Sequence, residues 1–183
     1  MAIIRKKERS WAIELISQIN QFSSENDLII KRAGGESTIS EYRGQSMFPD
    51  VILYGDSDLS SILQGWELKM PDISITATDF VSDAQRKAKA LSLNSCVIWN
   101  FTHAKLFVYN KTRDEFEIKQ EWQNQIIKTR DDVQLYKTRW ESTLKSVLVS
   151  VNEYLVSGDI KKTNIKDVLT KTSISNLVNE NKL

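Results

Sequence analysis

The chain has little of several things that usually announce a function. Its 183 residues include one cysteine, one histidine, two prolines and six glycines. A single cysteine, Cys96, excludes an internal disulfide and any cysteine-based zinc site, which makes the cytoplasm the natural compartment. It stands in Ser95-Cys96-Val97-Ile98-Trp99, where a small core residue fits. The lone His103 cannot build a histidine-rich metal site, and in Phe101-Thr102-His103-Ala104 it reads as a turn residue. No apolar run approaches the ~20 residues of a membrane span. The opening Met1-Ala2-Ile3-Ile4-Arg5-Lys6-Lys7 lacks the apolar stretch of a secretory signal. No Walker loop, dinucleotide glycine fingerprint or serine-hydrolase turn occurs, and no internal repeat or low-complexity tract.

Net charge is nearly absent too. Twenty-five basic against 24 acidic residues leave +1, so the molecule as a whole has no strong pull on nucleic acid. The basic residues do cluster, at Arg5, Lys6, Lys7 and Arg9, at Lys31 and Arg32, and at Arg86, Lys87 and Lys89. Such clusters either converge into a groove or coat solvated surfaces, and spacing alone leaves both open. What is present is ordinary globular material: 40% hydrophobic, 27% charged, with five Trp, five Tyr and six Phe to fill a core. That suits one domain, or a smaller domain with an appendage.

Periodicity predicts the elements. Trp11, Leu15, Ile19 and Phe22 recur at helical spacing over about 6–22. Residues 27–33 read as a strand that Gly34-Gly35 breaks. Phe48–Tyr54 and Ile62–Met70 read as an antiparallel pair around the turn-forming Gly55-Asp56-Ser57-Asp58. Asp56 and Asp58 belong to that turn, since the twelve-residue calcium-loop pattern is absent. A helix follows over 78–93, with Phe80, Ala84, Ala88 and Leu91 as its buried stripe. Residues 95–101, 105–109 and 116–122 read as strands. A long helix over 131–156 carries Tyr136, Trp140, Leu144, Leu148, Val151 and Leu155 on one face until Gly158 stops it. A short helix is expected around 165–169, before a polar tail. The fold class is therefore α/β, a mixed central sheet flanked by helices, with an αβββαβ core and a C-terminal helical extension. The expected division is 1–125 for the core and 126–183 for the extension or coupler.

Charges interrupt two of these strands. Asp50 opens one, and Glu67 and Lys69 lie inside Trp66-Glu67-Leu68-Lys69-Met70. Alternation puts Glu67 and Lys69 on one face, and burying them is costly unless they are paired, hydrated or bound to metal. If the two strands pair, Asp50 approaches Glu67. Two close carboxylates suit a hard divalent cation such as Mg²⁺, and a nearby lysine suits orientation of an attacking water or stabilisation of phosphate charge.

Pro49-Asp50 followed by Glu67-Leu68-Lys69 resembles the signature of the PD-(D/E)XK nuclease superfamily, over roughly residues 8–125. The chain is similar to the N-terminal nuclease domain of fused restriction-modification enzymes of types I, ISP and IIG. The resemblance implies the restriction-endonuclease-like fold and a Mg²⁺-dependent endonuclease, with Mn²⁺ as a substitute, acting on double-stranded DNA. It implies Asp50, Glu67 and the Leu68 backbone carbonyl as metal contacts and Lys69 as the catalytic lysine. Many relatives place an acid on the first helix, a position taken here by Glu14; the alternative is a solvent-facing glutamate. Gln85 matches the glutamine of a Q-x-x-x-Y motif found in several branches, with Lys89 where tyrosine would stand, and both suit DNA phosphates. The segment around Trp140 is similar to the spacer joining such nucleases to helicase, methyltransferase or target-recognition modules. On this likeness the chain reads as a fragment cut at a module boundary, and double-strand cleavage makes a dimer on DNA plausible. A junction-resolving or repair nuclease, and a non-catalytic DNA-binding or assembly module with the same fold, remain the alternatives.

Overall fold

The computed structural model describes residues 8–35 and 48–168. Arg5, Lys6 and Lys7 of the first basic cluster, and the tail beyond residue 168, lie outside them. The element order is α1 Glu8–Glu25, β1 Arg32–Gly35, β2 Val51–Tyr54, β3 Ser61–Leu68, α2 Thr78–Ala90, β4 Ser95–Trp99, β5 His103–Asn110, β6 Glu115–Gln123, α3 Arg130–Leu135, α4 Lys137–Ser157 and β7 Thr163–Asn164. The six main strands run β1-β2-β3-β4-β5-β6 across one sheet, and β7 pairs with the start of β3. Among the described strands only β3 and β4 pair in parallel. That pair needs a crossover connection, which α2 provides. The result is the mixed sheet with flanking helices that the sequence pattern predicts. No described helix is long and apolar enough to cross a membrane.

Each face of the sheet buries its own core. On one side α1 and α4 pack Trp11, Leu15, Ile19, Trp140, Leu144, Leu148 and Val151 against Val51, Trp66, Leu68 and Trp99. On the other, α2 packs Phe80, Ala84 and Ala88 against Ile52, Ile62, Cys96 and Ile98. The residues after 125 therefore share the core of the first helix. Aromatic contacts tie the first layer together: Phe101 meets Trp11, Trp99 and Trp140 edge-on, with centroids 5.8, 5.8 and 5.2 Å away. The indole Nε1 of Trp140 also donates to the Val133 carbonyl at 2.8 Å.

Local chemistry moved several boundaries. The strand expected over 27–33 lies at Arg32–Gly35 and includes both glycines. A Cβ at position 35 would meet Ile16 of α1 at 3.5 Å, an ordinary van der Waals contact, so this edge lies directly under the helix. Asn20 of α1 bonds the backbone N–H and C=O of Ala33 at 2.7 and 3.2 Å. The expected long helix is two, because Tyr136 leaves helical geometry at φ −110°, ψ 37°. A capping box between Thr129 and Asp132 starts α3. Gly158 ends α4 at φ 86°, the left-handed conformation glycine adopts without a Cβ penalty. His103 opens β5, and the turn before it is built by Asn100, whose Oδ1 accepts from the N–H groups of Thr102 and His103. Residues 165–168 are helical, and position 169 lies outside the described residues.

Truncating Trp140 removes a fully buried indole that packs edge-on against Trp11 and Phe101. Trp140→Ala is expected to lower stability by about 3–5 kcal/mol in urea unfolding, with loss of α1 and α4 protection in the same transition. Independent melting of α4 ahead of the sheet would contradict a shared core.

Candidate metal centre

Register brings the two acids together. In the antiparallel β2–β3 pair, Val51 faces Trp66, so the next pair outward is Asp50 and Glu67. Asp50 and Glu67 continue the alternation of Ile52 and Gly65 towards the α2 side of the sheet. The Asp50 Oδ2 accepts the Leu68 backbone N–H at 2.8 Å, which anchors the carboxylate across the end of the strand pair. Pro49 sits over Gly65: a Cβ there would stand 2.4 Å from the proline Cγ. Glycine at 65 is thus what lets Pro49, and with it Asp50, close on β3.

Glu67 is inside the molecule, its side chain 5% exposed. Its Oε1 accepts from the ammonium of Lys87 at 2.6 Å, while Oε2 is buried with no hydrogen-bond partner among the described residues. Lys87 comes from α2 and also binds Asp83, one turn earlier, at 2.9 Å. Burial, followed by the negative charge of Asp50, pushes the Glu67 carboxyl up to about 8 against the pull of Lys87. Burial depresses the Lys87 ammonium, but Glu67 and Asp83 more than offset this and hold it above its ordinary range. Cys96, buried beside this layer, has its thiol pushed up by burial and then by Glu67.

Lys69, Glu14 and Lys89 engage other partners, and Leu68 borders the acid pair. Lys69 follows the end of β3, its N–H bonded to the Trp99 carbonyl, and its ammonium lies 3.5 Å from Glu8 of α1 with the side chain 38% exposed. Glu14 pairs with Lys137 at the start of α4. Leu68, whose carbonyl is the implied third metal contact, commits its N–H to Asp50. Gln85 and Lys89 lie on the flank of α2 opposite Asp83 and Lys87, by helical spacing. Lys89 stands 6.0 Å over the rings of Tyr109 and Phe116. Asp56 accepts from the N–H groups of Ser60 and Ser61, as a turn residue does. The basic clusters are partly spent on acids: Arg86 pairs with Asp83 at 2.6 Å and Lys31 with Asp27 at 3.6 Å. Asp83 and Lys87 are the site residues that strand spacing misses. Their signal in the sequence is an i, i+4 acid–base pair whose lysine falls beside the apolar stripe.

The donor set fits a hard cation in kind, since it offers carboxylate oxygens, one of them buried and unpartnered. It is sparse: among the described residues no group of three or more His, Cys, Asp or Glu side chains is arranged to hold a metal. No protein-family profile, curated protein or solved structure matches the chain.

Two outcomes follow from this geometry. Because the folded state holds a proton on Glu67 up to about 8 and the unfolded chain releases it near 4.5, stability should fall as pH rises through that window. Urea unfolding across it should show this slope, and Glu67→Gln should flatten it; an unchanged slope in the variant would place the titration elsewhere. Gly65→Ala should destabilise by about 1–3 kcal/mol through overpacking against Pro49. A variant as stable as the parent would show that the Pro49 contact is not what seats Asp50.

Proposed function

We propose that the chain is a Mg²⁺-dependent endonuclease domain of restriction type, hydrolysing phosphodiester bonds of double-stranded DNA in the cytoplasm. One observation carries this reading: two carboxylates from adjacent strands meet at the end of the sheet, and the buried one keeps an oxygen that no group among the described residues satisfies. Asp50 and Glu67 would hold Mg²⁺, or Mn²⁺ in its place. A divalent ion there supplies Lewis-acid polarisation of the phosphate and a water more acidic than bulk. The chain's own contribution is to fix the acids. Leu68 ties Asp50 to β3, and Lys87 holds Glu67. Base recognition and strand separation would fall to further modules of a restriction enzyme, or to a second copy on the DNA, because the near-neutral surface offers no evident reading module.

A second reading, a non-catalytic module with the same fold, is favoured by Lys87, which already gives Glu67 a counter-charge without metal. Cleavage of supercoiled plasmid in Mg²⁺, Mn²⁺ or EDTA separates the two. Metal-dependent nicking, reduced at least about a thousandfold in Asp50→Asn and Glu67→Gln, is expected of a nuclease, since metal stabilisation is worth several kcal/mol. Calorimetry that detects neither Mg²⁺ nor Mn²⁺ binding would favour the non-catalytic module.

A further inference from the structure

The site has two candidate lysines, and they differ in every respect that matters to an ammonium. Lys69 is on the strand, two residues after Glu67, but β3 has ended at Leu68. Its side chain reaches the start of α1, where Glu8 takes the charge at 3.5 Å in partial solvent. Lys87 is on α2, its side chain 9% exposed, with Glu67 at 2.6 Å and Asp83 at 2.9 Å. A lysine held between two carboxylates on a helix packed by Ala84 and Ala88 has little rotamer freedom left to lose. The groups acting on the Glu67 charge are Asp50, Lys87 and Asp83.

We infer that Lys87, rather than Lys69, is the lysine of this site: its ammonium holds Glu67 through Oε1 and shares that carboxylate with the divalent cation Asp50 and Glu67 take up. The inference rests on the metal-binding reading above. The arrangement divides Glu67 between two cations, Oε1 to Lys87 and Oε2 to the metal, and so orients the carboxylate for the second. Asp83 is the second carboxylate that keeps the ammonium in place. Lys87 is a positioning residue in this scheme, acting through Glu67.

Sharing has a measurable consequence. The ammonium on the ligand carboxylate both repels a second cation and keeps Glu67 charged and oriented for it, so removing it should change metal affinity. Mn²⁺ binding by calorimetry on the full chain, for wild type, Lys87→Met, Lys87→Arg and Lys69→Met, reads this directly. Lys87→Met should shift Mn²⁺ affinity by at least about tenfold, the scale set by one unit charge removed a few ångströms from the ion at the dielectric of a partly buried site. Lys87→Arg should stay near wild type, and Lys69→Met should change affinity less than about twofold, as for an exposed pair. Plasmid cleavage should be lost in Lys87→Met and kept in Lys69→Met; thermal unfolding of each variant confirms that it is folded at the assay temperature. Unchanged Mn²⁺ affinity in Lys87→Met, or a shift confined to Lys69→Met, overturns the assignment while leaving the metal reading intact. Absence of Mn²⁺ binding by the wild type overturns that reading, and the assignment with it.

Discussion

Everything at the candidate site follows from the position of β3 in the middle of the sheet. It pairs with β2, β4 and β7, and all of its residues but the first are buried. One face meets α1 and α4, the other α2. A carboxylate placed in such a strand cannot rely on water, so it must be neutralised by a proton, a protein cation or a metal. Glu67 has some of each available: a raised affinity for its proton, the Lys87 ammonium on one oxygen, and a second oxygen without a partner among the described residues. That combination is poor material for stability. A buried ion pair is often replaceable by apolar residues with no loss, or a gain of about 1–4 kcal/mol. A strand selected only for packing would do as well with leucine at position 67.

The second acid is delivered by different means. Asp50 is tied down by one backbone N–H and by the fit of Pro49 over Gly65. The chain's two prolines, Pro49 and Pro71, flank β2 and β3 at the same end of the sheet, because the strands are antiparallel. Proline has no N–H to extend a ladder, so the pairing closes there and the side chains of the last residues stand at a sheet end. The acids meet at that end, and α2 starts from the same side.

Local patterns carried much of the architecture. The α1 stripe of Trp11, Leu15 and Ile19, the α4 face of Trp140, Leu144 and Leu148, and the stop at Gly158 are properties of short windows, and a sequence displays them. The meeting of Asp50 with Glu67 was legible for a related reason: two strands joined by a turn pair antiparallel, and alternation then fixes which side chains share a face. The break at Tyr136 was not legible, because the apolar period runs through it unbroken. Nor was the strand at Gly34-Gly35, where closeness to α1 outweighs the weak strand preference of glycine. Lys87 was hidden for a deeper reason. Asp83 and Lys87 at i, i+4 look like a solvated surface pair, and only the packing angle of α2 over β3 turns the lysine inward onto Glu67.

That packing decides which lysine governs the site, and proximity in sequence does not. Lys69 is two residues from Glu67, but its ammonium sits in partial solvent on Glu8, where water and side-chain entropy leave an exposed pair worth about 0–1 kcal/mol. Lys87 is twenty residues away in the chain and 2.6 Å away in space. In a partly buried setting the same unit charge acts through a dielectric several times lower. The positive charge at Glu67 is therefore supplied by the helix that covers the strand.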